Sequence, residues 1–147
     1  MEVLLEKGYR SLCIQAGSSE VGEVMLTKAK SKLPGFQVSW FSYKPNILAD
    51  INAADLVISH AGAGSCLEIM HANKPCIVVV NDKLMGNHQV ELAEKLSSLG
   101  HTEYTTPSHL IETVQSFRSE NLLPYEPGDP KRLSKHLHQL MGLLYSD

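Results

Sequence analysis

Within ten residues, Ser59-His60-Ala61-Gly62-Ala63-Gly64-Ser65-Cys66-Leu67-Glu68 supplies two glycines, an imidazole and a carboxylate. The stretch follows the apolar run Leu56-Val57-Ile58 and leads into Leu67 to Ala72, which reads as helix. Strand, small-residue turn, helix: that order gathers bare N–H groups and the positive end of a helix dipole at one point. Such a point binds phosphate. Glycine lets the anion reach the backbone, so Gly62-Ala63-Gly64-Ser65 is expected to hold a diphosphate. A ligand-free tight turn is the competing reading; His60 before it and Glu68 after it favour binding.

Two more side-chain roles follow from chemistry. A carboxylate accepts from two adjacent hydroxyls, so Glu68 suits a ribose. Ser65-x-x-Glu68 is equally a capping box, and spacing alone leaves the two readings level. His60 could donate to phosphate or sugar, and a binding role fits it better than a general-base role. A second polar cluster, Asn87-His88-Gln89, follows the next strand-like run. Asn87 could also cap the helix behind it. Together the clusters suggest a nucleotide-sugar site.

The elements that must position these residues can be read from pattern. Residues 1–9 read as the end of a helix stopped by Gly8. Strands are expected at Leu12 to Ala16, Phe36 to Tyr43, Asp55 to Ser59, Cys76 to Val80 and His101 to Thr105. Asp55 to Ser59 and Cys76 to Val80 read as buried strands. Gly17-Ser18-Ser19 reads as a loop, and 21–32 is ambiguous. Pro45 suits the first turn of a helix with Ile47, Leu48 and Ile51 on one face. Further helices are expected over Ser65 to Asn73, Asn87 to Leu99, Pro107 to Phe117 and Lys131 to Tyr145. In the third of these Leu110, Val114 and Phe117 share a side; in the second, Val90, Leu92, Ala93 and Leu96 face inward. Asn121 to Pro130, with three prolines and a glycine, reads as an extended connector.

Strands alternating with helices predict an α/β, Rossmann-like, mostly parallel sheet covered on both faces. Both polar clusters then fall at carboxyl ends of strands, where such sheets bind ligands. The 147 residues are expected to make one domain. A net charge of -3 and a pI near 6.1 give no basic field for nucleic acid. Cys13, Cys66 and Cys76 form no CxxC, so neither a disulfide framework nor a zinc site is supported, and reduced thiols in the cytosol are expected. No apolar run approaches the roughly 20 residues that cross a bilayer. No Asp-x-Asp motif is present, so the reading calls for no metal and no cofactor. A phosphate-binding oxidoreductase is disfavoured: the glycine turn lies mid-chain, with no acidic ribose partner about 20 residues on.

Asp55 through Glu68, followed by Lys74-Pro75, Val78-Val79-Val80-Asn81, Leu84-Met85, Asn87-His88-Gln89, Glu91-Leu92-Ala93 and Gly100-His101, closely resembles glycosyltransferase family 28, in particular its eukaryotic UDP-N-acetylglucosamine transferases. The resemblance covers about residues 4–145 and is most specific over 55–101. It implies the donor half of a two-Rossmann-domain enzyme, carried as a separate subunit. That subunit would move N-acetylglucosamine from UDP-N-acetylglucosamine to a dolichyl-pyrophosphate acceptor, with inversion. A membrane-anchored, acceptor-binding partner would hold it on the cytosolic face of the endoplasmic reticulum.

The resemblance also favours ribose for Glu68 and sugar hydroxyls for Gln89, then Asn87, with His88 beside them. It places Ser18-Ser19-Glu20 and Tyr43-Lys44-Pro45 near the uracil. Glu91 and Lys83 read equally well as solvated charges. No residue is assigned as general base, and the partner half could supply it. The apolar stripe Leu133, Leu137, Leu140, Met141 and Leu144 suits either the chain's own sheet or the partner.

Family members begin with a strand and a Val-Gly-Thr-Thr turn, whereas this chain starts within the following helix. In a Rossmann order that first strand would be central. Its neighbours' backbone groups would then need other partners. A truncated paralogue or isoform that binds UDP-sugar or the partner without turnover is therefore the alternative reading.

Overall fold

The computed structural model describes residues 1–17, 22–24, 26–28, 35–81 and 87–126. The expected loop at 18–20, the segment around Lys83, Leu84 and Met85, and the helix over 131–145 lie outside them. The described residues form two compact units, Met1–Ile47 and a second that begins at Leu48.

In the first unit, α1 (Glu2–Glu6) ends where Gly8 takes a φ of +93°. Strands β1 (Ser11–Gln15) and β2 (Gln37–Phe41) pair in parallel, Ser11 opposite Gln37. Residues 22–24 and 26–28 are helical, which resolves part of the ambiguous stretch. The Trp40 ring lies where a Cβ on Gly22 would have to go. Lys44 Nζ stands 4.2 Å from the centre of the Phe41 ring.

The second unit opens with α2 (Leu48–Ala53). Pro45 thus precedes the helix instead of starting it. Leu48 is exposed while Ile51 is buried, so these two do not share an inward face. Strands β3 (Val57–His60), β4 (Cys76–Val79) and β5 (Glu103–Thr105) form a parallel sheet in the order β3-β4-β5. Helices α3 (Ala63–His71), α4 (Asn87–Ser98) and α5 (Leu110–Ser116), with a 3-10 turn at Ser119–Asn121, complete the described elements of this unit. Strand–helix alternation and parallel pairing make this a Rossmann-like α/β fold.

Burial follows position in the sheet. Strand β4 has a neighbour on each side, and Cys76, Ile77 and Val78 are at most 1% exposed. Among the described residues strand β3 has one neighbour, and Ile58 is 38% exposed. The expectation of a buried strand there is corrected: an apolar run cannot distinguish an edge from a centre. Strands β1 and β3 each have one edge with no strand partner among the described residues. No described helix is long and apolar enough to cross a membrane.

Candidate functional site

Strand β3 ends at His60, and the chain turns at once into α3. The turn is held by one carbonyl. His60 C=O accepts from Gly62 N–H at 2.8 Å, from Ser59 Oγ at 3.2 Å and, weakly, from Cys66 Sγ at 3.9 Å. Gly62 is the N-cap residue of α3, and no side chain caps the helix. The first intrahelical bond runs from Cys66 N–H to Gly62 C=O at 3.0 Å. A helix leaves its first N–H groups without intrahelical acceptors. Here Gly62 N–H is taken by the turn, which leaves Ala63, Gly64 and Ser65. Among the described residues nothing accepts from these three.

The expected helix start at Ser65 moves back to Ala63, so the cradle is the helix's first turn and not a loop before it. Ser65 becomes the third helical residue, which removes the capping-box reading of Ser65 and Glu68. Glu68 is exposed, and no described group engages its carboxylate.

The two glycines differ. A Cβ on Gly62 would lie 2.5 Å from His60 Nε2, so the imidazole covers the glycine. A Cβ on Gly64 would meet nothing within 4 Å, and Gly64 is exposed at a negative φ. A side chain at 62 would therefore have to displace the imidazole, whereas 64 leaves space beside the N–H groups without acceptors. The residues beneath are sealed. Burial raises the Cys66 thiol to about 11; burial, then Cys66 itself, raises Cys76 to about 12. Both thiols stay protonated near neutrality and are no nucleophiles.

The second cluster starts at the neighbouring strand. Strand β4 pairs Val79 with His60, and α4 begins at Asn87 as its first helical residue, not its cap. Parallel neighbours lie about 5 Å apart, so the paired ends of the two strands, His60 and Val79, are adjacent. His88 is exposed and Gln89 half-buried. Gln89 Oε1 is buried with no hydrogen-bond partner among the described residues. Glu91 is exposed. Tyr43 and Lys44 belong to the first unit, where Tyr43 is 76% exposed.

Pattern reading missed two features. Thr113 Oγ1 donates to buried Thr105 Oγ1 at 2.8 Å, joining α5 to β5. Tyr125 N–H donates to Asn73 Oδ1 at 3.1 Å, across 52 residues. The only sequence hint of the second was Asn73 ahead of Lys74-Pro75, a place suited to a left-handed turn; its φ is +50°.

Comparison with known proteins gives the family. The profile of the glycosyltransferase family 28 C-terminal domain matches residues 2–140. The UDP-N-acetylglucosamine transferase subunit ALG13 of Mus musculus is 43% identical over 106 residues, 72% of this chain but 9% of that protein. The chain thus spans about a tenth of the mammalian relatives it matches. The ALG13 subunit of Candida glabrata is 36% identical, with 97% of this chain and 86% of that one covered. A solution structure of ALG13 superimposes with a TM-score of 0.70 at 27% identity, covering 92% of this chain and 82% of that chain. A kitacinnamycin glycosyltransferase shares the fold at a TM-score of 0.54. With its β3–α3 turn, parallel sheet and near-complete profile match, the chain belongs to glycosyltransferase family 28, in the C-terminal-domain class.

Proposed function

We propose that this chain binds UDP-N-acetylglucosamine and acts as the donor half of a transferase. The observation that carries the proposal is the trio of N–H groups on Ala63, Gly64 and Ser65 that find no acceptor among the described residues, beside an open glycine and next to the Gly62 that His60 covers. In this reading the trio and the helix dipole hold the diphosphate, and His60 adds a donor. Glu68 takes the ribose hydroxyls; Asn87, His88 and Gln89 read the sugar. The orphaned Gln89 Oε1 fits a group that gains its partner from a ligand hydroxyl.

The reaction is inverting transfer. The acceptor hydroxyl attacks the anomeric carbon, the glycosidic bond to phosphate breaks, and UDP departs with the electron pair. Negative charge grows on the diphosphate as the bond lengthens. Preorganised N–H donors then bind the transition state more tightly than the ground state. The acceptor's proton must pass to a base, which the partner subunit is proposed to supply. The proposed acceptor is a dolichyl-pyrophosphate-linked N-acetylglucosamine. A membrane-anchored partner would recruit the chain to the cytosolic face of the endoplasmic reticulum.

Calorimetric titration with UDP and UDP-N-acetylglucosamine tests the binding step, and a transfer assay with the acceptor subunit tests the chemistry. Saturable heat and transfer in the complex are expected. Heat without transfer leaves a non-catalytic binding subunit; no heat with either ligand overturns the proposal.

A further inference from the structure

The segment after α5 returns to the far ends of the two site helices. Helices α3 and α4 terminate in the same way. Asn73 N–H bonds Met70 C=O and Lys74 N–H bonds Ile69 C=O at the end of α3; Gly100 N–H bonds Ser97 C=O and His101 N–H bonds Leu96 C=O at the end of α4. Asn73 at φ +50° and Gly100 at φ +77° hold the left-handed position of each cap.

Residues 123–125 grip both caps. Leu123 N–H donates to Gly100 C=O at 2.8 Å, and His101 Nδ1–H donates to Leu123 C=O at 3.1 Å. The Leu123 side chain lies 3.1 Å from where a Cβ on Gly100 would stand. Tyr125 N–H donates to Asn73 Oδ1. The Tyr125 ring meets His71 of α3 and His101 beyond α4 edge to face, each at 5.5 Å between centroids. Helix termination needs none of these contacts, since each cap already closes on its own backbone.

We infer that Leu123–Tyr125 is a strap that sets α3 against α4, and that Tyr125 and Asn73 are positioning residues for the ligand site at the helices' other ends. The inference rests on the donor-binding reading above. Nine residues of α3 span about 13 Å as a stiff rod, so fixing one end constrains the other. The first turn of α3 carries the cradle, and the first turn of α4 carries Asn87, His88 and Gln89. A diphosphate and its sugar must be met by both turns at once, so their relative placement bears on affinity.

The decisive variant is Asn73→Gly. Glycine keeps the left-handed cap and removes only the acceptor for Tyr125. A role confined to capping leaves stability and ligand affinity as they were, or improves stability. The strap requires UDP-N-acetylglucosamine affinity to fall by about 3- to 10-fold, with a shifted Gly64 amide resonance. Tyr125→Ala should do the same, and Tyr125→Phe should retain wild-type affinity because the ring and the backbone donor remain. Thr113→Val loosens α5 without touching either cap and should leave UDP-N-acetylglucosamine affinity unchanged. Wild-type affinity and an unmoved Gly64 resonance in both Asn73→Gly and Tyr125→Ala overturn the strap. If the wild-type chain itself binds neither UDP nor UDP-N-acetylglucosamine, the donor-binding reading fails, and the Gly64 resonance alone decides whether the strap reaches the cradle.

Discussion

The two units solve the same problem unequally. Both contain parallel strands with apolar side chains, yet their burial differs. In the first unit, Ala16 and Phe36 are the buried apolar residues among those described, while Leu12, Ile14, Val38 and Trp40 remain half-buried. In the second, Cys76, Ile77 and Val78 of β4 are sealed and Cys66, Ile69, Met70, Leu92, Ala93 and Leu96 are all buried. A two-stranded ladder is marginal by itself, whereas a third strand and packed helices give a real core. The cradle belongs to the second unit. Donors that are proposed to hold a phosphate act only if they stay where they are, so the packed unit is the one suited to carry them.

The sharpest way to break this comparison is Gly64→Val. The protein leaves open space at that position, so the fold should stand while UDP affinity falls by roughly two orders of magnitude, as for a lost site of preorganised N–H donors. Calorimetry beside thermal unfolding reads both. A large drop in melting temperature with binding retained would mean that the glycine serves packing after all.

Matched truncations test the difference in burial. Ile77→Ala in β4 should cost about 3–4 kcal/mol, because a fully enclosed side chain leaves a cavity. Ile14→Ala in β1 should cost about 1 kcal/mol, since Ile14 is already partly in water. Denaturant unfolding monitored in each unit gives the two values. Equal costs would erase the distinction.

Cysteine chemistry reads the same contrast without mutation. Cys13 is exposed, while Cys66 and Cys76 are buried with raised thiol values of about 11 and about 12. Alkylation at neutral pH should modify Cys13 alone in the native protein and all three on unfolding, as mass spectrometry would show. The two buried thiols hold their protons more tightly when folded than when unfolded. Their contribution to stability is therefore complete below the unfolded value of 9 and declines as pH rises from there through about 12. Unfolding midpoints measured from pH 8 upward should fall in that window.

The smallest effect is expected at Lys44. Its ammonium above Phe41 contributes on the order of 0.5 kcal/mol at a partly exposed site, so Lys44→Gln should lower stability by about that much or less. A loss several times larger would show the first unit to be more tightly organised than its burial implies.

How far the sequence spoke can be judged residue by residue. Cys76 to Val80 was legible as a buried strand because uninterrupted apolar, β-branched residues suit a position flanked on both sides. Asp55 to Ser59 was legible as a strand but not as an edge, since its composition is similar. Helix α3 begins at Ala63, two residues before the Ser65 that the pattern suggests. Glycine and alanine carry little helix-start signal, and Ser65 ahead of Glu68 offered a false cap. Pro45 likewise announced a helix that begins three residues later, because proline suits turns as well as first helical turns.

Residue order alone determined that a strand would deliver His60 to a small-residue turn, and that a helix would follow. Those are local matters of side-chain size, branching and backbone freedom. Which N–H groups stayed unpaired, which glycine was covered by an imidazole and which faced open space were decided only in three dimensions. The grip of Leu123–Tyr125 on two helix ends was decided there too. Contacts across 52 residues cost chain entropy and leave no periodic trace; they exist because the folded sheet brings the helix ends to where the strap passes.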